Sequence, residues 1–245
     1  MKKILGAIAA LAMTVGLAAC GTPASQGTAN QNQLVVGMEA GYPPFNWTQK
    51  DDSNGAVKIQ GTDQYAGGYD VEIAKRVAKQ LGKELVIVKT EWDGLTPALV
   101  SGKIDAIIAG MSPTEERKAT IDFTDSYYDS QLVLVVKKGS KYANATSLAD
   151  FAGAKVTAQL NTFHYSVIDQ IPGVDKQAAM DNFPAMRVAL QAGTIDAYVS
   201  ELPEAISAQA ANSDFVMVKL TDGFKVSPED IQTAVGVKKD SPLTK

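Results

Sequence analysis

Ala98-Leu99-Val100-Ser101-Gly102-Lys103-Ile104-Asp105-Ala106 recurs as Ala189-Leu190-Gln191-Ala192-Gly193-Thr194-Ile195-Asp196-Ala197, at a constant offset of 91 residues (189 − 98 and 196 − 105). Repeats every ~20–50 residues signal solenoids or propellers. A single echo at this distance points instead to two α/β lobes built on one plan. In each copy a helix ends at a glycine, Gly102 or Gly193, and a buried strand comes next. Asp105 and Asp196 then read as residues that cap or orient turns. The two strands lead into different segments: Gly110-Met111-Ser112-Pro113-Thr114-Glu115-Glu116-Arg117 after the first, Ser200-Glu201-Leu202-Pro203-Glu204 after the second. One exit offers a cation, hydroxyls and a helix start; the other is anionic.

Toward the N-terminus, Leu34 to Met38 reads as a strand, followed by the turn-rich Gly41-Tyr42-Pro43-Pro44-Phe45. Residues 48–66 are polar and predict a loop or an exposed hairpin. Tyr69 to Leu81 has helical periodicity, with Ile73, Val77 and Leu81 on one face, Asp70 as N-terminal cap and Gly82 as stop. A strand over Glu84–Thr90, a short helix over Leu95–Val100 and a strand over Ile104–Ala109 complete the alternation expected of a largely parallel sheet. Phe123 to Tyr128 and Leu132 to Val136 are extended with no helix between them, as a crossing between lobes requires. Strands resume at Lys155–Gln159 and Ile195–Val199, and Ile231–Val237 reads as a crossing back.

The 45% hydrophobic content suffices for packed cores. Met1-Lys2-Lys3 and the apolar Ile4 to Ala19 read as a cleaved signal segment, too short and too rich in Ala and Gly for a membrane span. Leu17-Ala18-Ala19-Cys20 resembles the bacterial lipobox, which implies that Cys20, the single cysteine, becomes the lipid-bearing first residue (diacylglycerol and palmitate). Two or more acyl chains give stable anchoring. Residues 20–33 then form an uncharged tether. Loss of residues 1–19 removes two lysines and leaves 21 Lys and Arg against 27 Asp and Glu, a net charge of −6. An acidic body argues against nucleic-acid binding.

Catalytic signatures are lacking. The chain has one histidine, His164, no Gly-x-Ser-x-Gly, no Gly-rich phosphate loop and no Cys/His metal set. We therefore expect no catalytic residues, no metal and no cofactor. His164 reads as a surface or capping residue on the helix after Asn161.

Val36-Gly37-Met38-Glu39-Ala40-Gly41-Tyr42-Pro43-Pro44-Phe45, Gly67-Gly68-Tyr69-Asp70-Val71-Glu72-Ile73-Ala74, Trp92-Asp93-Gly94-Leu95-Thr96-Pro97-Ala98-Leu99, the Gly110–Arg117 stretch and Asp122-Phe123-Thr124-Asp125-Ser126-Tyr127-Tyr128 together resemble the family-3, polar-amino-acid solute-binding proteins of ABC importers. The resemblance runs from about residue 34 to the end. It implies a two-lobed, type II periplasmic-binding-protein-like α/β fold, each lobe a mainly parallel sheet flanked by helices, joined by a two-strand hinge. Residues 34–127 with 231–245 form lobe 1 and 128–230 lobe 2. The family's final helical segment is missing after Ser241-Pro242, so the expectation is a C-terminal truncation at Lys245.

A zwitterion needs charge-assisted donors for its carboxylate, which a planar guanidinium supplies in pairs. By the resemblance this falls to Arg117, helped by the Ser112 hydroxyl and backbone N–H groups from Gly110 through Met111 to Ser112. Glu201 stands where the family has aspartate for the α-ammonium. Gln159 and Thr162 belong to the second lobe's contributing loop, in which Asn161 replaces a usual glycine. Tyr42 and Trp92 match the aromatics that flank the ligand side chain, and Glu39 the acid that meets a distal cation. The expected protein is an extracytoplasmic, lipid-anchored, monomeric receptor, of Gram-positive surface type. It binds a free amino acid of arginine, lysine or histidine type for an ABC permease and touches the membrane through its anchor alone. Glutamine or another polar or sulfur amino acid remains open as ligand. A dehydratase-like enzyme or a sensor domain on the same scaffold is the rival from another class.

Overall fold

The computed structural model describes residues 31–244. The signal segment, Cys20, residues 21–30 of the tether and Lys245 lie outside the described residues. Gln31 to Gln33, expected as the tether's end, are already bound to the fold: Lys83 Nζ donates to the Gln31 carbonyl at 2.7 Å and Gln33 opens the first strand.

The first lobe begins with β1 (Gln33–Met38). β2 (Gly41–Tyr42) and β3 (Asn46–Gln49) follow, and the polar stretch expected as a loop or exposed hairpin carries the hairpin of β4 (Val57–Lys58) and β5 (Tyr65–Gly67), the four strands forming a small antiparallel sheet in the order β2-β3-β5-β4. Next come α1 (Tyr69–Gln80), β6 (Glu84–Lys89), α2 (Trp92–Ser101), β7 (Ala106–Ile107), α3 (Glu115–Lys118) and β8 (Ile121–Asp129). The second lobe carries β9 (Leu132–Lys137), β10 (Lys155–Thr157), α4 (Phe163–Ser166), β11 (Asp175–Lys176), α5 (Phe183–Ala192), β12 (Ala197–Glu201), α6 (Leu202–Ala211) and β13 (Phe215–Val218). β14 (Gln232–Lys238) returns to the first sheet.

The sheets are ordered β6-β1-β7-β14-β8 and β11-β10-β12-β9-β13. Each has three parallel strands joined through helices and two strands that pair antiparallel. The parallel pattern thus holds only where a crossover helix is present. β8 and β9 are separated by Ser130 and Gln131, too short a link for the dozen or more residues that a parallel crossover needs. Among the described residues no helix is long and apolar enough to cross a membrane.

The repeated nonapeptide is built twice in the same geometry. Gly102 (φ 77°, ψ 19°) and Gly193 (φ 75°, ψ 20°) both close their helices in the left-handed conformation that glycine adopts without Cβ strain. Asp105 Oδ2 then accepts the Val35 N–H at 2.8 Å, and Asp196 Oδ2 accepts the Lys155 N–H at 2.9 Å. The aspartates also donate their own N–H groups back to the carbonyls of Val35 and Lys155. Each therefore fastens its loop to the start of a neighbouring parallel strand.

Asp70 is not the cap of α1. Gly68 holds that position at φ 128°, where a Cβ would collide with the Phe45 carbonyl. The Asp70 side chain is instead fully buried and accepts hydrogen bonds from Asn46 Nδ2 and the Tyr127 hydroxyl, both at 2.7 Å. Burial pushes its carboxyl up to about 6.

Leu34, Val36, Met38, Ile87, Leu95, Leu99 and Ile107 centre the first core; Val136, Phe151, Val156, Ile168 and Val199 centre the second. A third cluster draws on both lobes. Tyr42 stacks on Phe45 at 5.0 Å and on Phe183 at 4.6 Å, and Tyr198 and Met186 lie behind them.

Candidate functional site

The segments that leave the strands of both sheets converge on a cleft. Its central pocket is lined by Tyr42, Trp92, Gly110, Ser112 and Arg117 from one side and by Gln159, Thr162, Phe163, His164 and Phe183 from the other, and these side chains close around a cavity of about 10 Å³.

On the first lobe, Thr114 caps α3, its hydroxyl accepting the Arg117 N–H. The capped turn aims Arg117 into the cleft, 5.1 Å above the Trp92 ring. Its Nη1 donates to the Ser112 carbonyl at 2.9 Å and its Nη2 to the Asn161 carbonyl of the other lobe at 3.1 Å. Burial pulls the guanidinium down to about 10, so it stays cationic at neutral pH. Gly110 sits at φ 63°, and a Cβ there would strike the Tyr42 ring. Its N–H, expected to meet a carboxylate, is already given to the Tyr127 hydroxyl at 3.3 Å. Met111 packs into the first core and its carbonyl is held by Ala234 N, so it does not line the central pocket.

On the second lobe, Asn161 adopts φ 54°, the left-handed conformation of the glycine it replaces. Its Nδ2 donates to Asp93 Oδ1 at 2.9 Å across the cleft. The Thr162 hydroxyl turns back to the Gln159 carbonyl at 2.7 Å, and Gln159 Nε2 donates to Glu39 Oε2 at 3.2 Å and to the Asp181 carbonyl at 3.0 Å. Glu201, at the end of β12, is 1% exposed. Its Oε2 accepts the Tyr42 hydroxyl at 3.0 Å, so it lies against the pocket wall rather than forming it.

His164 is where the sequence reading fails. It is buried rather than a surface or capping residue, with its Nε2 3.3 Å from Glu201 Oε1, at ion-pair distance but without hydrogen-bond geometry. Both ring nitrogens, Glu201 Oε1 and Glu39 Oε1 are buried without a hydrogen-bond partner. Buried polar atoms left open in this way call for an explanation. Their chemistry, two carboxylate oxygens and an imidazole, suits donors brought from outside.

Glu39 does not border the central pocket. It lines a neighbouring groove with Lys89 and Glu91 of one lobe and Asn182 and Arg187 of the other, and Gln159 links the two sites. Burial, resisted by the Gln159 hydrogen bond and reinforced by Glu91, pushes its carboxyl up to about 7. Phe163 and Phe183 are site residues that the sequence does not mark, and His164 is one that it marks only as a surface or capping residue. His164 carried one usable signal, its place two residues after Thr162; Phe183, behind Asn182 in a distant segment, carried none. Among the described residues no group of three or more His, Cys, Asp or Glu could hold a metal.

Two α/β lobes joined by crossing strands, with charged and aromatic groups facing across the cleft, define a two-lobed small-molecule binding protein. The chain belongs to the bacterial extracellular solute-binding proteins, family 3, whose model matches residues 34–242. It is similar to the arginine-binding extracellular protein ArtP of Bacillus subtilis (strain 168), 35% identical over 162 residues, covering 66% of this chain and 57% of that protein. A probable histidine-binding protein of Campylobacter jejuni is 32% identical over 229 residues, covering 91% of this chain and 83% of that protein. Among solved structures, the arginine-bound form of ArgBP from T. maritima superposes with a TM-score of 0.70 at 33% identity, over 86% of this chain and 90% of that chain. The family comprises extracytoplasmic solute-binding proteins of amino-acid ABC transporters, not enzymes.

Proposed function

We propose that this protein captures one free amino acid of basic type in the cleft and delivers it to an ABC permease. The observation that carries this reading is the opposition of Arg117 on the first lobe to Glu201, with a buried open oxygen, on the second. A molecule bridging them carries a carboxylate and an ammonium. Arg117 and Ser112 take the carboxylate, Glu201 the ammonium, and Tyr42, Trp92 and Phe183 pack the side chain. Gln159 and Thr162 shape the second wall, while Gly110 and Met111 support the first as backbone. Glu39, reached past Gln159, meets the distal cation. The arginine and histidine names of the relatives above support the basic ligand. Closure on the ligand follows from its contacts with both lobes, which favour the closed form.

A second reading is favoured by one observation. A Glu39 carboxyl near 7 is part protonated at neutral pH and already pairs with an amide, Gln159, so a neutral amide ligand such as glutamine suits it as well. Thermal-shift screening with the twenty amino acids, ornithine and citrulline separates these readings. Stabilisation by arginine, lysine or ornithine supports the first; stabilisation by glutamine or cystine alone defeats it. We further propose that Cys20 carries the lipid anchor and that the protein acts as a monomer at the cell surface. Membrane release on Cys20→Ala tests the anchor.

A further inference from the structure

His164 is the group in the cleft that the amino-acid-binding reading leaves unused. Its side chain is 9% exposed, it lines the central pocket, and neither ring nitrogen has a hydrogen-bond partner. The Phe163 ring lies 4.1 Å from it, fixing the imidazole plane. Glu201 Oε1, the atom assigned above to the ligand's ammonium, is 3.3 Å from Nε2 and is itself open. The two open atoms thus lie side by side at the wall of the central pocket.

We propose that His164 and Glu201 together form the ammonium subsite, and that a bound amino acid's ammonium replaces a proton on His164. An ammonium presents three N–H donors, which a carboxylate alone leaves partly unmet. A neutral imidazole nitrogen beside Glu201 Oε1 supplies a second acceptor. A protonated imidazole does the opposite: it pairs with Glu201 itself and repels the incoming cation. Entry of the ammonium therefore sends one proton from His164 to solvent, and total charge in the subsite is preserved.

The other charges around His164 do not replace Glu201 in this role. Arg117 and the Tyr42 phenol share the pocket from the first lobe. Asp169, on the turn packed against α4, is engaged by Lys176 at 2.9 Å. Glu39 acts at one remove, through Gln159. Because the Glu39 carboxyl is pushed up to about 7, affinity against pH alone cannot isolate the histidine. The chain's composition removes that difficulty, since His164 is its single histidine.

The proposal rests on the amino-acid-binding reading, and the test separates the two. Ring-15N-histidine-labelled protein is titrated with L-arginine and with L-glutamine at pH 6, beside calorimetry of the parent and His164→Gln at pH 8 and pH 5.5. The expected result is a shift of the His164 ring signals toward the neutral imidazole as ligand is added. Linkage to one proton weakens binding by about tenfold per pH unit below the histidine's titration. Glu39 contributes equally in both proteins, so between the two pH values the parent loses about tenfold or more in affinity beyond what His164→Gln loses. Binding that leaves the ring signals in place, or an equal pH dependence in both proteins, overturns the proposal alone. Absence of binding to any of the twenty amino acids overturns the amino-acid reading and this proposal with it.

Discussion

The Tyr42 hydroxyl of the first lobe donates to Glu201 Oε2 of the second at 3.0 Å, and the same ring stacks on Phe183 of the second lobe at 4.6 Å. One side chain therefore holds the anionic wall of the cleft in place while it packs the aromatic floor. Glu201 keeps its other oxygen open because Tyr42 orients the first.

Arg117→Ala removes the cation on which carboxylate recognition depends. Each charged hydrogen bond contributes about 1.5–3 kcal/mol, so the loss of two weakens binding by about 100-fold or more. Calorimetry with the best amino-acid ligand measures this, and unaltered affinity would remove Arg117 from the site.

Glu39 makes stability depend on pH in a direction opposite to that of a salt-bridged acid. Its carboxyl rises from 4.5 to about 7 on folding, so the folded chain holds the proton more tightly than the unfolded one. Stability is full below about 4.5 and falls as pH rises to about 7, by about 3 kcal/mol in all. Urea midpoints of Glu39→Gln should be flatter with pH and higher than the parent's at pH 8. The same variant should lose preference for arginine over glutamine; a retained preference would place the distal-cation contact elsewhere.

How much of the molecule was legible in its residues is shown by particular cases. The lobes and the glycine stops followed from local pattern, because helix and strand periods and left-handed glycines are properties of short segments; Asp105, read as capping or orienting a turn, instead fastens to Val35, 70 residues away. His164 did not follow. Four residues of α4 carry too little periodicity to show which face turns inward, and the partner that draws His164 in, Glu201, is 37 residues away (201 − 164). Asp70 misled for the same reason: an acid in a helix's first turn suits a cap, and only the distant Tyr127 reveals it as a buried acceptor. Residues 48–66 stay polar although part of them forms strands, because among them only Ile59 and Ala66 are buried, both in the first core.

Asn161 joins recognition to closure: its carbonyl receives Arg117 and its side chain reaches Asp93. Asn161→Gly keeps the left-handed backbone and deletes only the cross-cleft bond. A hydrogen bond at an exposed rim contributes about 0.5–1 kcal/mol, so ligand dissociation should accelerate about two- to fivefold. Stopped-flow displacement reads this, with an unchanged rate counting against a closure role.

Asp105→Ala and Asp196→Ala each strand a backbone N–H, at Val35 and Lys155 respectively. Each should lower stability by about 1–2 kcal/mol in urea unfolding and leave ligand affinity within about twofold. A large affinity loss from either would show that the repeated nonapeptide does more than hold the scaffold.

The aromatic cluster of Tyr42, Phe45, Phe183 and Tyr198 has a thermal consequence. Its members come from both sides of the hinge, so neither lobe can melt without tearing apolar surface from its neighbour. The hinge divides the molecule mechanically, but the shared rings make the two halves cooperative: heat should meet one transition where the topology alone would suggest two.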